Sequence, residues 1–543
     1  MRGPNRPCLP AAPPMTPLSQ LVDALRDPSR YPHAVGSVAV IETHISVVLL
    51  AGDYAYKFKK PVDFGFLDFR SLEARRHYCE EELRLNRRTA PDLYLSVVTV
   101  TGTAADPVLD GSGDPIEFAV KMRRFEDDAL LDRMAKRGSL RADQVDAVAA
   151  MIADFHERIE RATADSPHGL PADALAAAEQ NVAQMLPLAG SDALRQRLDR
   201  LGRWTREAFA RVAGVMQERR NKGFVRECHG DLHLGNIAWI DGAPVAFDGI
   251  EFNAGLRWID VMSEVAFVVM DLAGHGQTSL AWRCLDRYLE HSGDHGGMRV
   301  LRFHLVYRAM VRAKIAALRG HQADVDTAER DRQARAMEVH LSLAERLSVP
   351  ARPAILITHG LSGSGKSTVA AALVAAGAGI RVRSDVERKR LYGAGPAGSR
   401  PAVDPAILYG AEATRRTYAH LLSVARAVAP SGWPVIVDAA FLRRDERRAF
   451  RALAADLGAA FAILSCTAPE AVLRTRVRQR ARAGRDPSDA DEAVLSRQLQ
   501  WVEPLAYDET EMAIPVDTTE DAAGLAARIE AVAARFRPAG ARE

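Results

Sequence analysis

Gly360-Leu361-Ser362-Gly363-Ser364-Gly365-Lys366-Ser367 matches G-x-x-x-x-G-K-[ST] at every fixed position. Its flanks complete a strand, loop and helix: Ala354-Ile355-Leu356-Ile357-Thr358 is short and apolar, and Ser367 to Val374 opens an apolar helix. A glycine-rich turn ahead of a helix aims backbone N–H groups and the helix N-terminus at phosphates. Lys366 then reaches the β and γ oxygens, and the Ser367 hydroxyl ligates Mg²⁺. The expected nucleotide-binding set is Gly360, Gly363, Ser364, Gly365, Lys366, Ser367 and Thr368. A chance Gly/Ser turn is the competing reading, and the strand and helix on either side argue against it.

Downstream, Ile380 to Asp385 reads as a second strand ending in an acid, followed by Val386-Glu387-Arg388-Lys389-Arg390-Leu391. Val435-Ile436-Val437-Asp438 is a hydrophobic strand ending in Asp, the Walker B form, which assigns Asp438 to Mg²⁺ directly or through water. Arg474, Arg476, Arg478, Arg480, Arg482 and Arg485 crowd one helix and the Gly-Arg-Asp turn after it. A lid needs arginines against the charge on a transferred phosphoryl group, and Arg480 and Arg485 beside that turn are the candidates. The remaining arginines read as solvated, although the run also suits an RNA acceptor. Trp501 reads as core rather than as a base-stacking platform.

These features resemble the small-molecule and polynucleotide kinases of the phosphate-loop class with AAA-type ATP binding, which includes zeta toxins, gluconate kinases and chloramphenicol phosphotransferase. The resemblance implies that Asp385 engages the acceptor hydroxyl as a base and that Arg388 contacts substrate or phosphate. The competing role for Asp385 is a cap on the helix starting at Val386. Ala439-Ala440 stands where such kinases commonly carry a Thr.

The stretch before the loop needs its own account. His229-Gly230-Asp231-Leu232-His233-Leu234-Gly235-Asn236 has the spacing H-x-D-x-x-x-x-N, and Asp248 follows after one short hairpin. In-line phosphoryl transfer requires a carboxylate to orient or deprotonate the attacking hydroxyl, here Asp231. It also requires oxygen ligands for Mg²⁺, here Asn236 and Asp248. Around this motif the order is three strands from Val38 to Lys59, a helix from Ser71 to Arg88, two strands from Tyr94 to Met122, and helices from Asp127 to Leu347.

Residues 16 to about 345 resemble the aminoglycoside phosphotransferase family of kinase-fold enzymes, whose motif His-Gly-Asp-x-His-x-Gly-Asn matches 229 to 236. The resemblance implies ATP as cofactor and Asp231 as catalytic base, with Asn236 and Asp248 holding Mg²⁺. Asp248-Gly249-Ile250-Glu251-Phe252 departs from the family's Asp-Phe-Asp/Glu, so the role of Glu251 stays open, and Asp260 reads as a brace.

Lys57, with Lys59 as the alternative, is expected to hold the ATP phosphates, because the kinase lysine precedes the helix and Lys121 follows it. Its helix partner is one of Glu80, Glu81 and Glu82, with Glu82 chosen. No glycine-rich loop joins the first two strands, so backbone N–H groups and Ser46 are the expected phosphate contacts there. A reading from another class makes His229, Asp231 and His233 the ligands of a metal hydrolase.

Composition sets limits on these readings. The 543 residues are 48% hydrophobic and 26% charged, with a net charge of +2, which gives no argument for nucleic acid or an anionic membrane as an obligate partner. The five cysteines are scattered without a C-x-x-C pair, against a disulfide framework or structural zinc site. No apolar run of spanning length occurs and the start lacks an export signal, so the expected setting is cytoplasmic.

The expected fold is an α+β bilobal protein-kinase-like domain followed by an α/β P-loop NTPase domain with a parallel sheet. The boundaries are 1–15 disordered, 16–126 N-lobe, 127–347 helical C-lobe, 348–353 linker and 354–538 P-loop domain. The expected activity is transfer of the ATP γ-phosphoryl group to small-molecule hydroxyls at two sites. Alternatively, one domain is a nucleotide-binding module that gates the other.

Overall fold

β2 (Ser46–Ala51) is apolar after its serine, and β3 (Tyr54–Lys59) ends in the alternation Tyr56-Lys57-Phe58-Lys59, the period that sends aromatic rings to one face of a strand and lysines to the other. The computed structural model describes residues 17–63, 65, 67–322, 325–393, 405–483 and 490–537. The expectations for residues 1–15 and for Arg485 lie outside the described residues. Contacts divide the chain into two compact units, one made of Met1–Leu130, His229–Asp231 and Asn236–Arg257 and the other of the rest.

The first unit is built on a six-stranded antiparallel sheet. Besides β2 and β3 it holds β1 (Val38–Glu42), β4 (Tyr94–Gly102), β5 (Pro107–Leu109) and β6 (Glu117–Arg123), in the order β1-β2-β3-β6-β4-β5. One face packs Leu49, Tyr56, Phe58, Val98 and Val100 into a core. The other buries Phe118 and Val120 against Cys79 of the helix Leu72–Asn86. Ser71 caps that helix by accepting from the Ala74 N–H at 3.0 Å. The short β5, between the two strands expected from Tyr94 to Met122, pairs with β4.

The segment 236–257 returns to this unit as the hairpin β8 (Ile237–Ile240) and β9 (Ala243–Ala246). The unit therefore gathers the lysines of β3, Asp231 and Asp248 in one body.

In the second unit, helices bring together β7 (Val225–Glu227) and β10 (Trp258–Asp260), an antiparallel pair. Asp260 caps the helix Val261–Gly274 through the Met262 N–H and holds Arg219 through both carboxylate oxygens, at 2.7 and 2.9 Å. After the helix Thr327–Ser348 comes a wholly parallel sheet. Its strands are β11 (Ala354–His359), β12 (Ile380–Arg383), β13 (Val435–Asp438), β14 (Ala460–Thr467) and β15 (Ala513–Asp517), in the order β12-β13-β11-β14-β15. Such strands are covered on both faces and read as continuous apolar runs, as in Ile355, Leu356 and Ile357. The central β11 places the phosphate loop at its C-terminal edge.

His304, on the helix Met298–Gly320, is buried with neither ring nitrogen hydrogen-bonded among the described residues. Burial is the main cause lowering its pKa to about 4, with Asp260 opposing and Arg308 and Arg219 reinforcing. The folded imidazole is therefore neutral where the unfolded one, at 6.5, takes up a proton. Its contribution is complete above pH 6.5 and is lost as pH falls from there toward 4. At pH 5 the loss is about 2 kcal/mol. Thermal melts at pH 7.5 and pH 5 are expected to differ less for His304→Leu than for the natural chain.

Candidate functional sites

Strand alternation decides which lysines meet the helix. Lys57 and Lys59 lie on one face of β3, opposite Tyr56 and Phe58, and the helix Leu72–Asn86 sends Glu82 to meet them. Lys57 Nζ donates to Glu82 Oε1 and Lys59 Nζ to Glu82 Oε2, each at 2.8 Å. Lys57 also pairs with Asp248, whereas Lys59 is enclosed between Glu82 and Glu251. Glu80 and Glu81 turn instead to Arg76 and Arg84. Lys121 stands opposite Tyr56 in the register and lies over the Tyr54 ring.

Burial pulls the Lys57 ammonium down, but Asp248, Glu82 and Glu251 hold it well above its ordinary value. Burial pushes the Glu82 carboxyl up, and the two lysines outweigh it to bring the pKa to about 2. Glu251 is raised, chiefly by burial. Of the two lysines, Lys57 carries the contact to a carboxylate, Asp248, that is half open to solvent, while Lys59 and Glu251 form a buried brace. Glu251 thus has a structural partner that spacing did not reveal.

Asp248 is held by its backbone. Its φ is +61°, a conformation that non-glycine residues adopt sparingly, and its N–H donates to the Tyr94 hydroxyl at 3.0 Å. The next N–H, of Gly249, donates to Asn86 Oδ1 at 2.7 Å. Asn236 donates from Nδ2 to the Asp231 carbonyl at 3.0 Å and to Asp231 Oδ2 at 3.2 Å, which fixes the carboxylate and leaves the Asn oxygen as a ligand group. His229 Nε2 bonds the Phe247 carbonyl at 2.8 Å, tying the two loops together.

Asp248 and the oxygen of Asn236 are hard donors of the kind Mg²⁺ takes. The hydrolase reading finds less support, because His229 bonds Phe247 and His233 Nδ1 accepts the Gly235 N–H at 3.0 Å.

Ser46 requires a correction. It is 1% exposed: its N–H donates to Thr43 Oγ1, and its hydroxyl is buried without a hydrogen-bond partner among the described residues, so the strand encloses it instead of presenting it to solvent. The register sets it opposite Lys59, on the buried side of the lysine pair.

At the second site the glycines are backbone requirements. Gly360, Gly363 and Gly365 have φ of +144°, +84° and +82°. A Cβ on Gly360 would stand 2.4 Å from the Cys466 carbonyl and 2.6 Å from Ser364 Oγ. Gly360→Ala is expected to destabilise the P-loop region by about 2–4 kcal/mol, read as a lowered melting transition.

Lys366 folds back to donate to the Leu361 carbonyl at 2.8 Å. Burial lowers its pKa, with Asp438, Cys466 and Asp385 opposing and Arg480 adding to the lowering. Ser364 Oγ and Asp438 Oδ2 are buried without a hydrogen-bond partner among the described residues. An orphaned carboxylate oxygen at a strand end beside a lysine fits a hydrated divalent cation. Ser367 lies half-buried in the first turn of the helix Lys366–Ala375, and Thr368 after it is exposed.

The helix Ser384–Leu391 begins one residue before Asp385, with Arg383 at the cap position, so Asp385 is a half-buried member of its first turn and not its cap. Arg388 corrects another expectation: its guanidinium is buried and donates to the Leu408 carbonyl at 3.1 Å and Thr414 Oγ1 at 3.2 Å. Among the arginine run, Arg480 donates to the Ala490 carbonyl at 2.7 Å. Arg476, passed over in the sequence, bonds the Gly363 carbonyl at 3.3 Å and Thr518 Oγ1 at 2.8 Å, bracing the loop. Gln498 accepts the Ser362 N–H at 2.8 Å. Trp501 is not core: it is 43% exposed, with the Arg443 guanidinium over its ring.

The N-terminal region thus has a protein-kinase-like fold, and the C-terminal region is an α/β P-loop domain with a parallel sheet. Residues 355–505 match the AAA domain family. The chain belongs to one family with uncharacterized proteins of Mycobacterium tuberculosis and Mycobacterium bovis, to which it is 31% identical over 465 residues, 86% of this chain and 91% of theirs.

Among solved structures, a choline/ethanolamine kinase family protein from Mesorhizobium loti aligns over 60% of this chain and 99% of its own, with 12% identity and a TM-score of 0.37. A gluconokinase from Sinorhizobium meliloti aligns over 34% of this chain and 93% of its own, with 23% identity and a TM-score of 0.24. Among the described residues no helix is long and apolar enough to cross a membrane.

Proposed function

We propose that the chain is a bifunctional kinase with two ATP sites, each transferring the γ-phosphoryl group to a hydroxyl of a small molecule. The observation that carries the reading is that two unrelated scaffolds each build a phosphate-type site: Lys57 paired with Glu82 and Asp248, and the glycine loop of Lys366 after β11 beside a strand, β13, that ends in Asp438 with Oδ2 lacking a hydrogen bond among the described residues.

In the N-terminal site Lys57 binds phosphate oxygens while Glu82 keeps its ammonium charged and placed. Asp231, held by Asn236, accepts the proton as the acceptor oxygen bonds to the γ-phosphorus, and the bond to the ADP oxygen breaks. In the C-terminal site Lys366 binds the phosphates, Asp385 takes the acceptor proton, and Arg480 offsets charge on the transferred group. Asn236 with Asp248, and Ser367 with Asp438, would hold the Mg²⁺ whose charge neutralises the phosphate oxygens.

The test is ADP release by the full chain over a panel of polyols, amino alcohols and nucleosides. Acceptor-stimulated turnover should divide into a part lost in Asp231→Ala and a part lost in Lys366→Ala. Acceptor-dependent turnover that survives both substitutions together contradicts the reading. A second reading, in which one region gates the other, is favoured by one observation: ion pairs join helices of the N-terminal region to the P-loop domain within one compact unit.

A further inference from the structure

The helix Thr278–Ser292 precedes the P-loop domain by some sixty residues of sequence, yet Asp286 and Glu290 on one of its faces meet Arg381 and Arg383 of β12. The spacings agree: residues four apart on a helix rise about 6 Å, and residues two apart on a strand about 6.6 Å. Asp286 Oδ2 accepts from Arg381 at 2.6 Å and Glu290 Oε1 from Arg383 at 2.6 Å. On their other side the two guanidiniums approach Asp438 Oδ2, Arg383 at 3.6 Å and Arg381 at 3.9 Å. Arg383 is the register partner of Asp438 in the sheet. All five side chains are buried or nearly so.

Both arginines therefore have a choice of carboxylates, and Asp438 is the one that a cation beside the phosphate loop needs. Buried guanidiniums deprived of Asp286 and Glu290 would close the remaining gap and pair with Asp438, because an unpaired buried charge is costly. Glu290 also holds Arg287 of its own helix through its other carboxylate oxygen, so Arg383 takes Oε1 alone. With the pairs in place, Asp438 Oδ2 keeps no hydrogen bond among the described residues. Trp282 of the same helix packs against the P-loop core, beside Trp433, so this contact is a built surface.

We propose that Asp286 and Glu290 are positioning residues for the P-loop site: they hold Arg381 and Arg383 away from Asp438 and thereby set the Mg²⁺ dependence of nucleotide binding there. The kinase-like region would then be part of the neighbouring site's electrostatics. The proposal rests on the reading of Lys366 and Asp438 as an Mg²⁺ and ATP site.

The experiment is binding of a non-hydrolysable ATP analogue to the full chain as Mg²⁺ is titrated, in a Lys57→Met background that silences the first site. Glu290→Gln is expected to raise the half-saturating Mg²⁺ concentration about tenfold. Asp286→Asn should shift it in the same direction. Glu290→Asp should stay close to the parent, and Arg383→Gln added to Glu290→Gln should restore the parent's Mg²⁺ dependence.

Melting curves identify variants that keep the fold, and either carboxylate variant suffices. An unchanged Mg²⁺ dependence in a folded variant, or a shift that Arg383→Gln fails to reverse, overturns the proposal. Parent binding that does not require Lys366 overturns the reading of the loop itself, and the proposal with it.

Discussion

Asp231→Ala is expected to lower acceptor-dependent turnover at the N-terminal site by about 10²–10⁴-fold, the range a positioned general base supplies. In activation free energy this is about 3–5 kcal/mol. The expectation comes from the geometry around one carboxylate. Asn236 Nδ2 holds Asp231 Oδ2 at 3.2 Å, so the base is oriented in advance. Lys57, Glu82 and Asp248, which would contact the nucleotide side, do not depend on Asp231 for their pairs. ATP affinity at this site should therefore change little while turnover falls. Asp231→Asn should fall almost as far, because an amide keeps the shape and removes the basicity. Steady-state kinetics of both variants with a Lys366→Ala background check this, and a matching loss of ATP affinity would speak for a binding role instead.

The second large effect is at the phosphate loop. Lys366→Ala is expected to reduce C-terminal turnover by about 10²–10³-fold or more, since it deletes a cation aimed at developing charge in a buried site. Here affinity should fall as well, because Lys366 is the lysine of the loop itself and its amine turns back over it to the Leu361 carbonyl. Removing it takes away the loop's own cation and weakens the hold on the triphosphate. Equilibrium ATP binding and single-turnover phosphoryl transfer measure the two parts separately. Turnover at the N-terminal site should persist in this variant.

Much of this arrangement was legible because it is local. The phosphate loop and H-x-D-x-x-x-x-N are short stretches in which spacing alone fixes which groups converge. Period-two alternation likewise places Lys57 and Lys59 on one face of β3. What alternation does not give is which lysine the distant acids select. Glu251 lies 192 positions from Lys59, and only the return of 236–257 to the first unit brings the two together.

Ser46 shows the converse. Its residue type suits a phosphate, but the strand register buries it opposite Lys59. Arg476 and Arg480 are four apart in an arginine run where composition ranks none. Their partners, Gly363 and Ala490, belong to other loops. The exposure of Trp501 and the burial of Arg388 have the same cause, since both depend on what the rest of the chain lays over their helices. The link from Asp286 and Glu290 to β12 has no motif at all, only matched spacings on two elements.

Two ATP sites of independent construction on one chain should each bind nucleotide without the other, and the number of ATP molecules bound per chain reads this. Calorimetric titration in Mg²⁺ should give two for the natural chain, one for Lys57→Met, one for Lys366→Ala and none for the double variant. A single equivalent in the natural chain, or loss of all binding in Lys366→Ala alone with the fold intact, would contradict it.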